Sequence, residues 1–369
     1  MTDIHSKHVD LEFTFRQTKE QVTKVYVGEG MTAQLLEVLL SLRPDKVFVV
    51  CDQNVEKLHS QTLIESLSKT FEVHKITHQS DEAFKNLDTL ASMSDDFFAN
   101  NGSRQSCIIA LGGGITGNIA GFLGSILFRG IPCIQMPTTL ISQLDSAVDV
   151  KQSVNSQSVK NALGTIRAPY ATVVDTTYLR TLNDREIRSG LGEAVKHAFA
   201  QDMAFIDTLT SGDLHDPEFL KEVILTTIKL KFKHWENNPT IWNDGPKIER
   251  LTHLGHTTGK ILELLDIDYL THGEAIAHGM VIESYAAYLM GQLDKESVEK
   301  IRQILARLEL LYPLNERYSV QTIIDALYKK GSQPISCLLT SLGTSQTLSV
   351  TIEEAVMKDA LEWYVALGK

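Results

Sequence analysis

Cysteine is scarce in this chain: four residues, Cys51, Cys107, Cys133 and Cys337, with no CxxC pair among them. That leaves no disulfide framework and no cysteine-based metal or redox motif. Three of the four fall in apolar runs of strand character, the setting of buried thiols in a reducing compartment. Positive charge is in deficit. The 35 Lys and Arg face 46 Asp and Glu, a net charge of −11, which argues against nucleic acid or an anionic membrane as partner but leaves room for a local basic pocket. No apolar run reaches the length of a membrane span, and the opening MTDIHSKHVDLEF has no apolar leader core. A cytoplasmic location is expected. Internal repeats and low-complexity linkers are lacking too.

What is present is a chain of 369 residues, 43% apolar and 22% charged, the composition of a soluble globular enzyme with length enough for two cores. Up to about residue 180, strands expected at 24–27, 46–51, 72–76, 107–111, 133–136 and 171–175 alternate with helical segments, the pattern of a parallel α/β sheet. Beyond Leu182 the reading is almost continuously helical: 184–200, 203–211, 217–235, 247–265, 273–292, 295–309 and 319–329. Only a late hairpin, 335–340 with 347–350, interrupts it. The expected organisation is an α/β nucleotide-binding domain over 1–180 and an all-helical domain over 181–369.

The most informative stretch begins at Cys107, where CIIAL breaks into Gly112-Gly113-Gly114-Ile115-Thr116-Gly117 and a small-residue helix is expected over 118–128. Strand, glycine turn and helix N-terminus aim bare backbone N–H groups and the helix dipole at a pyrophosphate. The polar segment that follows, as far as Asn155, has no evident structural role. Asp52 closes the apolar run Val49-Val50-Cys51. An acid at that tip of a parallel strand takes ribose hydroxyls, or else caps the next helix. It precedes the glycines, whereas in the dehydrogenase fingerprint the acid follows them. A different nucleotide fold is indicated.

Two more groups carry chemistry. Glu193 and Lys196, in GLGEAVKHA, share a helical face. His256, in LGHTTG, and His272, in THGE, each open a further helix. One carboxylate and two imidazoles from three helices suit a catalytic Zn²⁺ or similar ion with a position left for substrate oxygen; singly, each histidine also reads as a satisfied polar residue. Asp145, Lys151, Asn155, Lys160, Asn161 and Lys196 form a polar set that fits a phosphate and polyol site, or a solvated face.

The order GGG-x-x-G-N, RG, PTT, DS, K, KN, G-E-x-x-K, GHT-x-G and HGEA, over roughly residues 45–340, resembles the sugar-phosphate cyclases, whose parent is 3-dehydroquinate synthase. The resemblance implies a nucleotide domain, a helical metal domain, a cleft between them, a homodimer, recycled NAD⁺ and one divalent metal, Zn²⁺ or Co²⁺. By the same resemblance, Asp52, Glu82, Lys85, Gly113, Gly114, Asn118, Thr138 and Thr139 hold NAD, with Lys160 at the nicotinamide end. Glu193, His256 and His272 ligate the metal. Asp145, Lys151, Asn161, Lys196 and one of Lys229 and Lys231 contact the sugar. Arg129 and Lys330 bind phosphate, Arg129 across the dimer.

Departures within the family point to a branch. Asn118 replaces the usual aspartate, and Asp149-Val150-Lys151-Gln152-Ser153-Val154-Asn155 replaces GGKTGIN; both GGGxTGN and KQxVN resemble the 2-deoxy-scyllo-inosose synthases, which act on glucose 6-phosphate. Glu249 stands where dehydroquinate synthases keep an arginine for a substrate carboxylate, with Arg250 next to it. His253 and Lys260 match neither relative; Lys260 replaces a second histidine and can hold phosphate as a charge. The reaction implied is oxidation of a ring hydroxyl by NAD⁺, phosphate elimination, return of the hydride and aldol ring closure, with Lys196 and His253 as candidates to move protons.

Overall fold

The computed structural model describes residues 22–237, 251–265, 269–314, 319–329 and 333–367. Six strands form one wholly parallel sheet: β1 (Lys24–Gly28), β2 (Val47–Asp52), β3 (Val73–His78), β4 (Cys107–Gly112), β5 (Cys133–Pro137) and, after an intervening hairpin, β8 (Ala171–Asp175). Their order is β1-β8-β5-β4-β2-β3. Both faces are covered, so β2 and β4 are buried along their whole length. Alternate residues divide between two cores: Val47, Val49 and Cys51 join one, Phe48 and Val50 the other. The chain reverses direction across the sheet between β2 and β4. That switch point opens a crevice at the carboxyl ends of these strands, which is where Asp52 and Gly112 lie.

The sequence reading located these six strands and a parallel α/β fold followed by a helical part, and the structure agrees. The polar segment that ends at Asn155, expected to have no structural role, instead supplies the first strand of an antiparallel hairpin, β6 (Lys151–Val154) with β7 (Leu163–Ile166). Helix formation after the glycines starts at Gly114 rather than at 118 and stops at Ile126, because Phe128 and Arg129 turn left-handed (φ 51° and 68°). The long helix expected over 247–265 is broken: a short turn, Leu251–His253, precedes a helix His256–Leu265, and Gly255 between them has φ 72°. Residues 247–250 lie outside the described residues. A C-terminal helix, Glu354–Leu367, follows the hairpin of β9 (Ile335–Leu339) and β10 (Thr347–Thr351).

Three helices of the second half cross with almost no space between backbones. A Cβ on Gly273 would stand 1.9 Å from the Ser189 carbonyl oxygen, and one on Gly192 would stand 2.8 Å from the Gly273 Cα. This brings the helices Asp184–Gln201 and His272–Leu289 together. A Cβ on Gly279 would stand 1.9 Å from the Gly255 carbonyl oxygen and 2.8 Å from the Gly259 nitrogen, which seats the helix His256–Leu265 on the same partner. His278, also on that partner, lies between the Tyr364 hydroxyl (2.6 Å) and the Tyr312 carbonyl (2.7 Å), pinning the C-terminal helix. Among the described residues no helix is long and apolar enough to cross a membrane.

Two consequences are open to measurement. Gly273→Ala forces a methyl into the Ser189 backbone and is expected to cost about 3 kcal/mol in denaturant unfolding. Burial pushes the His278 pKa down from 6.5 to about 4. Between those values the unfolded chain binds a proton that the folded chain refuses, so stability from this group falls as pH drops below 6.5 and levels off below 4. His278→Gln is expected to lose less stability than wild type over that interval.

Candidate active site

The glycine turn is shaped by its neighbours. Gly112 ends β4, Gly113 caps the 13-residue helix Gly114–Ile126, and the Thr138 N–H donates to the Gly112 carbonyl (2.9 Å). A Cβ on Gly113 would meet the Thr139 methyl at 3.2 Å, so Gly113, Gly114, Thr138 and Thr139 are one surface. Asp52 does cap the next helix, accepting from the Asn54 and Val55 N–H groups at 2.8 and 3.0 Å through Oδ1. Its Oδ2 faces the Thr116 hydroxyl at 3.4 Å, and Thr116 also meets His78 Nε2 at 3.0 Å. Sequence reasoning missed His78 and Thr116; the signal available was that one ends β3 and the other opens the glycine-turn helix.

The hairpin supplies the polar wall. Asn118 bridges to it: its amide donates to the Gly114 carbonyl (2.8 Å) while its oxygen accepts from the Ser153 N–H (3.3 Å). An aspartate could not donate to that carbonyl. Asn155 donates to Glu82 Oε1 (2.8 Å), the Asn161 N–H donates to Asn155 Oδ1 (2.8 Å), and the buried Lys85 ammonium donates to Asn161 Oδ1. Burial, aided by Lys160, lowers the Lys85 pKa against the pull of Glu82. A cleft of about 490 Å³ lies here, with Asn118, Asp145, Asp149, Lys151, Ser153 and Asn161 in its lining.

Beside that cleft is a buried chain of charge. Lys231 donates to Asp145 Oδ1 (2.8 Å), the Asp145 carbonyl (2.8 Å) and Asp149 Oδ2 (3.1 Å). Lys229 is exposed, so of the two lysines left open by the sequence only Lys231 enters the cluster. Burial works to raise the Asp145 pKa, but Lys231 outweighs it and holds the carboxyl near 2. Lys151 projects into the cleft side with its ammonium 4.0 Å from Asp149. Burial and the nearby Lys151 and Lys196 charges lower the pKa of Lys260.

Glu193, His256 and His272 converge, each offering one donor atom within 4.8 Å of the others. Glu193 Oε1 lies 3.2 Å from His272 Nε2 and 3.6 Å from His256 Nε2. The other ring nitrogens are engaged: His256 Nδ1 donates to the Leu254 carbonyl (3.0 Å), and His272 Nδ1 meets Glu263 Oε2 at 3.2 Å. This leaves both Nε2 atoms facing the carboxylate, with the outer partners that metal-ligating histidines have. Burial opposes charge on His272, yet Glu193 and Glu263, each on one of its ring nitrogens, raise its pKa to about 10. The donor set fits a three-ligand divalent ion. Lys196, wholly buried, donates to Glu193 Oε2 and to the Thr252 carbonyl (3.0 Å). Burial pushes the Glu193 pKa up, and Lys196 with the two histidines overcomes it and holds it well below the usual range. His253 packs edge-on to His256, ring centroids 6.1 Å apart.

One expected residue does not join. Arg129 is exposed at the far end of the Gly114–Ile126 helix, about 20 Å from the glycine turn at 1.5 Å per residue. Lys330 lies outside the described residues, as do Glu249 and Arg250. Glu263 was missed, although it stands seven residues after His256 and therefore on the same helix face.

A glycine-opened helix and polar hairpin on one side, with an acid–imidazole cluster on the other, define a two-part α/β and helical cleft protein. The 3-dehydroquinate synthase N-terminal family matches residues 75–189, and the 3-dehydroquinate synthase C-terminal family matches residues 190–330. The chain belongs to the 3-dehydroquinate synthase family of sugar-phosphate cyclases. It is 31% identical over 305 residues to a 2-deoxy-scyllo-inosose synthase of Micromonospora echinospora, covering 82% of this chain and 76% of that one. It is 33% identical over 325 residues to a 3-dehydroquinate synthase of Sulfurovum sp., covering 86% and 90%. A solved 2-deoxy-scyllo-inosose synthase complexed with carbaglucose-6-phosphate, NAD⁺ and Co²⁺ superposes with a TM-score of 0.84 at 26% identity, covering 92% of this chain and 96% of that chain.

If the acid–imidazole cluster holds a divalent ion, Glu193→Gln is expected to weaken Co²⁺ binding by more than about 100-fold, beyond the loss of an outer partner alone. Absorption titration of the metal-stripped protein reads this directly.

Proposed function

We propose that this chain is an NAD- and metal-dependent carbocycle-forming cyclase that converts glucose 6-phosphate to 2-deoxy-scyllo-inosose with loss of phosphate, a carbon–oxygen lyase of aminocyclitol antibiotic biosynthesis. The observation that carries this is the juxtaposition of the Glu193–His256–His272 donor set and the Lys196 ammonium on Glu193 with the Asp145–Lys231–Asp149 chain, beside the cleft lined by Asn118, Asp145, Lys151 and Asn161. When bound, NAD would carry a hydride to and from the sugar, and Zn²⁺ or Co²⁺ would polarise the oxygen at the oxidised carbon, C4.

The chain's own groups do the rest in this reading. Glu193, His256 and His272 hold the ion. Gly113, Gly114, Thr138 and Thr139 approach the dinucleotide, Asp52 takes its ribose through Oδ2, and Asn118, Glu82, Lys85 and Lys160 border it. Lys260 receives the phosphate, since ammonium groups serve phosphate as point charges, and Lys151 and Asn161 contact the sugar. Asp145 and Lys231 orient sugar hydroxyls. Lys196, held between Glu193 and the Thr252 carbonyl, moves a proton at the sugar, with His253 beside it. Departing phosphate accepts the proton removed next to the ketone. The protein works in the cytoplasm as a homodimer, and the exposed Arg129 reaches the partner copy's phosphate.

Asn118 and the KQSVN segment favour glucose 6-phosphate, and so does the similarity to 2-deoxy-scyllo-inosose synthases. The second reading is a 3-dehydroquinate synthase or a cyclase on another sugar phosphate, favoured by the Sulfurovum relative, whose alignment spans 90% of its length. Phosphate release with NAD⁺ and Co²⁺, comparing glucose 6-phosphate with the heptulosonate phosphate, separates them. Release from glucose 6-phosphate alone, with a cyclic ketone by mass spectrometry, is expected. Release from the heptulosonate alone would establish the second reading.

A further inference from the structure

Glu263 holds a position that neither side of the cleft needs for itself. It sits on the helix His256–Leu265 with its two oxygens divided: Oε2 is 3.2 Å from His272 Nδ1, and Oε1 is 3.5 Å from the Lys160 ammonium. Lys160 belongs to the turn of the β6–β7 hairpin, in the other half of the molecule. Its neighbour Asn161 accepts from Lys85 and from the Ser153 hydroxyl (3.2 Å), and donates its N–H to Asn155, which in turn holds Glu82. Two sets of polar contacts, joined by the peptide link between Lys160 and Asn161, therefore lead from a donor of the acid–imidazole cluster to Lys85, Asn155 and Glu82.

We propose that Glu263 is a positioning residue that couples metal binding to dinucleotide binding through His272, Glu263 and Lys160. This rests on the metal and NAD reading given above. An ion on His272 Nε2 fixes that ring, and its Nδ1–H then fixes the Glu263 carboxylate. A fixed carboxylate holds Lys160 and the hairpin turn in the conformation that borders the dinucleotide, so less ordering remains when NAD⁺ binds. Reciprocity requires NAD⁺ to tighten the metal by the same factor. The Lys160–Glu263 pair is partly exposed, with side-chain exposures of 36% and 21%, so the expected coupling is modest, about three- to tenfold.

Calorimetric NAD⁺ titrations of the full chain, metal-stripped and Co²⁺-loaded, read the coupling as a ratio of two dissociation constants. A residue that merely contacts NAD⁺, or merely supports the fold, changes both constants and leaves their ratio alone. Wild type is expected to give a ratio of about three to ten, and Lys160→Met and Glu263→Gln a ratio near one. Lys160→Met should keep the wild-type Co²⁺ affinity in the absence of NAD⁺, whereas Glu263→Gln should lower it about 10- to 100-fold. A wild-type ratio of one, or a ratio that survives in both variants, overturns the coupling and leaves the metal reading standing. Failure of wild type to bind Co²⁺ at all overturns the metal reading and the coupling with it.

Discussion

The close passage of Gly273 over Ser189 and Gly192, and of Gly279 over Gly255 and Gly259, sets the geometry on which the rest of the candidate site depends. Helices separated by ordinary side chains run 8–10 Å apart. Here bare Cα atoms let three helices approach until a single Cβ would collide with backbone at 1.9 Å. Glu193 follows Gly192, His272 precedes Gly273, and His256 follows Gly255. The three donors therefore converge because each is the immediate neighbour of a glycine at a crossing. Arg185 completes the frame by gripping Glu274 through both oxygens (2.7 Å each), and Glu274 in turn caps the helix that His272 opens.

Around that frame the charges are arranged in opposition rather than by pairwise neutralisation. Lys196 and Lys231 are wholly buried, a costly condition that the carboxylates of Glu193, Asp145 and Asp149 offset. Lys151, in the lining of the cleft, is exposed, so the cleft presents a solvent-facing cation beside buried, carboxylate-paired ones.

Legibility in the sequence followed physical signal. Four of the six parallel strands, β2, β4, β5 and β8, are apolar runs buried along their whole length, so they stood out; the β6–β7 hairpin did not, because KQSV and LGTI are short, polar and alternately exposed. The break at Gly255 was hidden by helix-favouring residues on both sides, although the glycine itself was the clue. Glu193, His256 and His272 were readable through motif resemblance, and the structure brings them together. Choosing Lys231 over Lys229 needed burial, which two lysines flanking Leu230 do not reveal by themselves. His78, Thr116 and Glu263 went unread because each acts through a partner distant in sequence.

In the proposed function, one cleft oxidises a sugar and gives the same hydride back. Glucose 6-phosphate carrying deuterium at C4 tests it most directly, with the carbocyclic product weighed by mass spectrometry. The account predicts full retention of the label and no accumulation of reduced nucleotide. Loss of deuterium to solvent, or stoichiometric release of NADH, would contradict it.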